Sequence, residues 1–108
     1  MGGPLEGIRV IDVTEGAQGP WAGALLADLG ADVIKVERPQ GEMMRQGGPR
    51  KNGFPLPHVG MNHGKRNIVF DVKTPEGMET MLELVRGADI FMENWRRDVA
   101  GQIGRAHV

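Results

Sequence analysis

IRVIDVTEGAQGPWAGALLADLGADVIKVE, residues 8–37, holds two β-branched runs with a helical pattern between them. The first run, residues 8–13, predicts a strand that ends at Thr14, and the second predicts a strand over 31–37. Between them Pro20 stands where a helix begins, a position that tolerates its missing N–H, and Gly30 ends the helix. The apolar side chains of this helix recur at helical spacing, at Trp21, Ala24, Leu25 and Leu29. Strand, helix and strand together predict a βαβ unit with parallel pairing.

The rest of the chain repeats this alternation after a long irregular stretch. Residues 38–64 carry many Gly and Pro residues and little periodicity, so regular structure there is expected to be short, and loops of this length are usually functional or disordered. A third strand is predicted over 67–72, and a fourth over 89–93. Between them Thr74 as N-cap and Pro75 begin a helix that Gly87 ends. Residues 97–102 resemble the start of another helix. The fold class is therefore α/β.

Composition narrows the possible functions. Thirteen Lys and Arg against fourteen Asp and Glu exclude a histone-like or polybasic nucleic-acid binder. The absence of cysteine excludes a disulfide scaffold, an iron–sulfur cluster and a thiolate zinc site. No apolar run is long enough for a transmembrane helix, and the first residues lack the features of a secretory signal. We expect a cytoplasmic domain with neither a nucleic acid nor a membrane as partner.

The last six residues, 103–108 (IGRAHV), can be encoded by ATC GGA AGA GCA CAC GTC. That string matches a widely used sequencing adapter whose next codon in this frame is a stop. We interpret 103–108 as a non-native tail, as for a cloning scar, with 1–102 as the domain. The same match makes the native residue at Gln102 any residue whose codon begins with C. The alternative is an ordinary C-terminus with this spelling.

A Gly-bearing loop after the first strand and an acid at the end of the second invite a dinucleotide-binding interpretation. Glu37 lies about 20 residues past the loop, where an acid would hold a ribose hydroxyl. The loop, however, reads GAQGPWAG rather than G-x-G-x-x-G, and Pro20 removes one helix N–H that a pyrophosphate would use. A nicotinamide or flavin site is therefore weakly supported.

Cationic and aromatic residues near strand ends are more informative. Ligands of open parallel sheets bind outside the carboxyl ends of the strands, so Arg38 and Arg96 can share a crevice with the Gln18 loop, and Lys65 could reach it. A ligand with several phosphates would fit this set. Trp95 offers a flat face for an adenine. For each of these residues the alternative is structural: a solvated surface for the cations, and core packing for Trp95.

The sequence gives little support for a metal site or a catalytic site. His58 and His63 have no helix to align them and no third ligand, so a metal site is not expected. Three acids on or beside strands are interpreted as structural caps: Asp12, Asp71 and Asp89. The residues contain no convincing catalytic set, which favours a chain that binds a ligand without turning it over.

Several motifs in order resemble the N-terminus of family III CoA-transferases, the CaiB/BaiF type, a family that also includes acyl-CoA racemases. The resemblance covers essentially all of residues 4–101. Its motifs are PLEGIRVID (4–12), GP (19–20), LLADLGADVIKVE (25–37), GKRNI (64–68), DVKTPEG (71–77) and ADIFMENW (88–95).

The resemblance implies the N-terminal part of a Rossmann-like large domain, here incomplete, in an interlocked homodimer that binds coenzyme A. It implies an aspartate nucleophile beyond this chain, acyl-CoA and a carboxylic acid as substrates, no metal, and no catalytic residue within the chain. A CoA-contacting arginine of the family aligns with position 102. The positions that it implies for coenzyme A are Ala17, Gln18, Arg38, Asn62, His63, Gly64, Lys65, Asn94, Trp95, Arg96 and Gln102.

Three functions remain open from the sequence. The first is a truncated CoA-transferase, or an acyl-CoA racemase of the same family that exchanges an α-proton by acid–base chemistry. The second is a self-standing nucleotide- or CoA-binding module, and the third is half of a nicotinamide or flavin oxidoreductase.

Overall fold

The computed structural model describes residues 2–46 and 48–95, which alternate strands and helices as the sequence predicts. In chain order the elements are β1 (Arg9–Asp12), α1 (Gln18–Asp28), β2 (Asp32–Glu37), a 3-10 helix (Met43–Arg45), β3 (Arg50–Lys51), β4 (Phe54–Pro55), α2 (Leu56–Met61), β5 (Arg66–Val69), α3 (Pro75–Arg86) and β6 (Ile90–Met92). Four strands form one parallel sheet in the order β5-β2-β1-β6. The predicted α/β class and the parallel βαβ unit are confirmed.

The two faces of the sheet carry different helices, because successive side chains of a strand point to opposite faces. Ile11 and Ile34 face α3 and pack with Met81, which is fully buried. Val10 and Val33 face the other way and pack with residues of α1. Removing a buried side chain such as Met81 by substitution with Ala costs about 2–5 kcal/mol.

Helix α1 begins two residues before the predicted start. Ala17 is its N-cap, and no side chain caps the N–H groups of its first turn. Pro20 is the third helical residue, and the first i→i−4 bond is donated by the next residue, Trp21, to the Ala17 carbonyl. The missing N–H of Pro20 therefore breaks no helical hydrogen bond. Gly30, at φ 102°, follows the helix in a conformation that favours glycine.

Helix α3 follows its prediction closely. The Thr74 hydroxyl accepts a hydrogen bond from the Gly77 N–H at 2.9 Å, Pro75 is the first helical residue, and Gly87 is the C-cap. The flanking strands are shorter than predicted: β5 ends at Val69 and β6 covers Ile90–Met92. Phe70 follows β5, packs against the core and donates its N–H to the Glu37 carbonyl at 3.2 Å. The helix expected over 97–102 lies outside the described residues.

The irregular stretch 38–64 contains only short elements, as predicted. A 3-10 turn is followed by the two-residue strands β3 and β4, paired antiparallel, and by the six-residue helix α2. None of the helices in residues 2–46 and 48–95 has the length and apolarity needed to cross a bilayer.

Candidate functional site

The candidate site lies at the carboxyl ends of β1 and β6, where the first residues of α1 face the segment after β6. The β1–α1 loop, residues 13–17, contributes Thr14 to its lining. An open cleft of about 440 Å³ is lined by Thr14, Gln18, Gly19, Ala22, Phe91, Met92, Glu93 and Asn94. This is the edge of a parallel sheet at which ligands bind. The predicted residues Gln18 and Asn94 meet here.

Asn94 holds the β1–α1 loop through its side-chain amide. Its Nδ2 donates to the Glu15 carbonyl at 2.8 Å, and its Oδ1 accepts from the Glu15 N–H at 3.2 Å. The amide thus copies the hydrogen-bonding pattern of a neighbouring strand. Its role in this arrangement is to fix the loop beside Ala17 and Gln18, both of which are exposed.

Arg38 borders the same loop from the end of β2. Its Nη2 lies 3.0 Å from Glu15 Oε1, and its Nε donates to the Gly41 carbonyl at 3.0 Å. The side chain is 52% exposed, so the guanidinium is anchored on one side and open to solvent on the other. The exposed side of the Arg38 guanidinium can bind an anionic ligand while its contacts with Glu15 and Gly41 remain.

Lys65 and Asn62 point away from solvent, into a buried ion pair beneath α1. The Lys65 ammonium donates to Asp12 Oδ2 at 2.6 Å, to Asn62 Oδ1 at 2.7 Å and to the Pro20 carbonyl at 2.9 Å. These contacts engage all three of its N–H donors. The side chains of Lys65 and Asp12 are 1% and 0% exposed. Burial lowers the pKa of Lys65, and the adjacent Asp12 carboxylate opposes that shift.

Two glycines of α1 allow the helix to approach the end of β1, Gly23 at the ion pair and Gly19 at Thr14. A Cβ at Gly23 would lie 2.6 Å from Asp12 Oδ2, and a Cβ at Gly19 would lie 2.5 Å from the Thr14 Cβ. The two residues are one helical turn apart, so they face β1 together. The four-residue spacing was the available sequence signal for this close approach, and sequence reasoning missed it.

The three acids interpreted as structural caps have that role. An Asp12 oxygen accepts from the Thr14 N–H at 2.9 Å, Asp71 accepts from the Lys73 N–H at 2.9 Å, and Asp89 accepts from the Arg9 N–H at 2.9 Å. Asp12 has the second role described above, as the partner of Lys65.

Glu37, the acid that would hold a ribose hydroxyl in the dinucleotide interpretation, is buried, and its carboxylate is hydrogen-bonded within the protein. Its carboxylate accepts hydrogen bonds from Arg45, from Asn67 at 2.9 Å and from the Glu42 N–H at 2.8 Å. Burial by itself raises the pKa of Glu37, but these donors outweigh it and lower the pKa to about 2. The acid that would hold a ribose hydroxyl is therefore a structural group, and the dinucleotide interpretation loses its main support.

His63 and Gly64 lie at the other end of α1. His63 Nε2 is 3.0 Å from both carboxylate oxygens of Asp28, the last residue of the helix, and this hydrogen bond raises the pKa of His63. A Cβ at Gly64 would lie 3.2 Å from the Ala27 Cβ. An eleven-residue helix is about 16 Å long, so the structure separates these two positions from Gln18.

The two histidines considered as metal ligands contact different acids. His58 Nδ1 is 3.1 Å from Glu42 Oε2, whereas His63 contacts Asp28. Within residues 2–46 and 48–95, no group of three His, Asp or Glu side chains could hold a metal ion.

Trp95 packs in the core, as its structural alternative predicts, and its contact with coenzyme A stays a prediction. Its ring meets Phe91 edge to face, with centroids 6.2 Å apart, and it packs against the apolar core on the α3 side of the sheet. Arg96 and Gln102, the remaining predicted positions, lie outside the described residues.

Glu42 is the residue at this site that sequence reasoning did not find. It is buried, and its Oε1 accepts from the Gly16 N–H of the β1–α1 loop at 2.6 Å. Nothing in the local sequence distinguishes it from an exposed acid in a Gly- and Pro-rich loop.

Comparison with known proteins agrees with this architecture. The sequence model of the family described as "CoA-transferase family III" matches residues 5–107. The chain is 47% identical to succinate–glutarate CoA-transferase of Agrobacterium fabrum, over 94% of the chain and 27% of that protein. It is 42% identical to formyl-CoA:oxalate CoA-transferase of a Bradyrhizobium strain, over 93% of the chain and 24% of that protein.

A solved structure gives the same result. The crystal structure of a CaiB/BaiF family protein from Brucella suis superposes with a TM-score of 0.88 at 38% identity, over 96% of this chain and 29% of that one. The chain thus spans about a quarter of the length of the curated relatives it matches.

Proposed function

The chain belongs to CoA-transferase family III, and from this premise we propose that it forms the N-terminal, CoA-binding part of a larger cytoplasmic enzyme. That enzyme moves coenzyme A from an acyl-CoA thioester to a carboxylic acid. The complete protein acts as a homodimer, and its aspartate nucleophile lies outside these 108 residues.

The observation that carries the proposal is the cleft at the carboxyl edge of the sheet, beside the exposed residues Ala17 and Gln18. Coenzyme A joins a phosphorylated nucleotide to a pantetheine arm with two amides. The amide of Gln18 and the N–H groups at the start of α1, which no side chain caps, suit the pantetheine amides, and the half-exposed Arg38 suits a phosphate. The apolar side chains of Phe91 and Met92 suit the methylene groups that lie between the two pantetheine amides.

The proposed chemistry is covalent catalysis in two halves. The aspartate attacks the thioester carbonyl, releasing CoA thiolate and forming an acyl-aspartyl anhydride. The thiolate then attacks the aspartyl carbonyl, so the donor acid leaves and an aspartyl-CoA thioester remains. The acceptor carboxylate repeats these two steps in reverse order and leaves as the new acyl-CoA. Residues of this chain hold the coenzyme while its thiolate leaves and returns.

Gln18, Arg38 and Ala17 are the positions that we propose contact coenzyme A directly, because they lie on the open side of the β1–α1 loop. Asn94 acts by holding that loop. Lys65 and Asn62 shape the site from beneath α1, where the ammonium already has three acceptors. His63 and Gly64 would contact a part of the ligand that extends past α1.

The test uses the complete gene product, obtained by sequencing the source DNA across codon 102, which also shows whether residues 103–108 belong to the natural chain. The protein is incubated with a panel of acyl-CoA donors and ¹⁸O-labelled carboxylic acids, and products are identified by mass spectrometry. We expect a new acyl-CoA, and transfer of ¹⁸O to the released donor acid over successive turnovers, because the label passes through the aspartate.

Other outcomes identify the alternatives. Exchange of the α-proton of an acyl-CoA in D₂O, without acyl transfer to an added acid, would instead assign a racemase. Binding of CoA to the natural chain without turnover, where that chain ends at Val108, would assign a self-standing binding module. Failure to bind any CoA ester would refute the proposal.

A further inference from the structure

Glu42 joins three separate segments through one buried carboxylate, which is 1% exposed. Its Oε1 accepts from the Gly16 N–H of the β1–α1 loop at 2.6 Å. Its Oε2 accepts from the Met44 N–H at 3.0 Å, within the 3-10 turn, and lies 3.1 Å from His58 Nδ1 of α2. The N–H of Glu42 in turn donates to Glu37 Oε2 at 2.8 Å, at the end of β2.

Glu42 contacts the β1–α1 loop at Gly16, a residue with no side chain of its own to hold the backbone in place. Gly16 has φ 89°, a conformation that glycine adopts freely and that leaves the loop soft without an external partner. The preceding residues are already held, since Asn94 pairs with the Glu15 backbone and the Lys35 ammonium donates to the Thr14 carbonyl at 3.2 Å. The residues that follow are Ala17, which is exposed, and Gln18, which lines the cleft.

We propose that Glu42 is a positioning residue for the CoA site. By holding the Gly16 N–H it sets where Ala17 and Gln18 stand at the start of α1, and it does so from behind the loop without contacting the coenzyme. This inference rests on the proposed function, because it assigns Glu42 a part in the geometry of that same site.

The position of the carboxylate is itself fixed from the other side. His58 is buried against it, and Asn62 Nδ2 donates to the His58 carbonyl at 2.9 Å. Asn62 Oδ1 also accepts from the Lys65 ammonium at 2.7 Å. A continuous chain of contacts therefore runs from the ion pair beneath α1, through α2 and Glu42, to the loop at the cleft.

Three substitutions separate position from charge. Glu42→Gln keeps an oxygen at the right distance for Gly16 and loses the charge. Glu42→Asp keeps the charge but withdraws it by one methylene, and Glu42→Ala removes the acceptor. Glu79→Ala, at an exposed site on α3, is the matched control. The variants are made in the complete gene product and compared as kcat per CoA-binding site, with the number of sites counted by calorimetry.

We expect Glu42→Ala and Glu42→Asp to lower kcat per site by about 10- to 100-fold, because a displacement of about 1 Å at a reacting centre has that effect. The KM for acyl-CoA should change by less than about threefold, since Arg38 still holds the nucleotide end. Glu42→Gln should recover most of the rate, and Glu79→Ala should leave it unchanged. Counting sites removes the effect of misfolded protein, so a purely structural role for Glu42 would not move kcat per site.

A second measurement follows the loop directly. Hydrogen exchange of the Gly16 amide should accelerate in Glu42→Ala and stay slow in Glu42→Gln. The inference is overturned if an active wild-type enzyme and its Glu42→Ala variant have equal kcat per site, or if Glu42→Asp keeps full activity while Glu42→Gln loses it. A wild-type protein that binds CoA esters but transfers nothing would refute the proposed function alone. The exchange rate of Gly16 would then decide the positioning role.

Discussion

Replacing Lys65 with Met tests whether this lysine is a buried counter-ion or a ligand contact. The substitution leaves the fully buried Asp12 carboxylate without its cation, and it leaves Asn62 Oδ1 without that donor. Removing one partner of a buried ion pair costs about 3–5 kcal/mol. Because small domains are stable by only about 5–15 kcal/mol, we expect Lys65→Met to remove about a fifth or more of the free energy of unfolding.

The assay is urea unfolding of the 108-residue chain, followed by circular dichroism, once a cooperative wild-type transition has been established. With an m value of about 1.5 kcal/mol/M, the midpoint should fall by roughly 2 M or more. Lys73→Met, at an exposed position, should leave the midpoint within experimental error. Lys65→Met with Asp12→Asn should recover part of the loss, because no unpaired charge then remains buried and the amide oxygen still accepts from the Thr14 N–H. An unchanged midpoint in Lys65→Met, together with weakened CoA binding, would refute the counter-ion role.

Three further outcomes are expected. Arg38→Ala should weaken CoA binding to the complete gene product by about 1–3 kcal/mol, the scale for losing a charge-assisted hydrogen bond, whereas Lys73→Ala should not; calorimetry measures both, and equal affinities would remove Arg38 from the site. The pKa of Glu37 is lowered from an ordinary value of 4.5 to about 2 in the folded chain, so the stability it contributes is present above about pH 4.5 and is lost as the pH falls towards 2. Urea midpoints measured between pH 6 and 2 should show this loss, and Glu37→Gln should flatten the profile. Gly23→Ala should destabilise the chain by about 1–3 kcal/mol, because its Cβ meets Asp12, whereas Gly60→Ala adds a methyl group in open space and should be neutral or stabilising in thermal unfolding.

Elements with a strong local pattern were predictable from the sequence. Residues 8–37 alternate β-branched and helical periodicities, and Thr74 with Pro75 marks a helix start, so the parallel sheet, α1 and α3 appear where these patterns place them. Boundaries were less predictable, because the length of β5 depends on its pairing with β2, which ends at the Glu37–Val69 pair. Local periodicity carries no information about such a tertiary choice.

The direction of charged side chains was not predictable. Lys65 adjoins a Gly-rich loop and resembles a surface cation, yet it is buried because Asp12 accepts its ammonium and Gly23 leaves space for the pair beneath α1. Glu37 ends a strand where a ribose ligand would lie, but its carboxylate accepts hydrogen bonds from Arg45 instead. In both cases the deciding partner comes from another segment, and pairing of this kind leaves no pattern in the local sequence.

The ion pair beneath α1 also constrains how this region can be exchanged between homologues. Asp12 and Lys65 are 53 residues apart in the chain, and the glycine that admits them, Gly23, lies between the two. A chimera with a crossover between positions 24 and 61 takes the acid and the glycine from one parent and the lysine from the other. Such a crossover is tolerated only where both parents have the aspartate, the glycine and the lysine at positions 12, 23 and 65. Crossovers before residue 12, or after residue 65, keep the set together, and recombined genes joined there retain this ion pair.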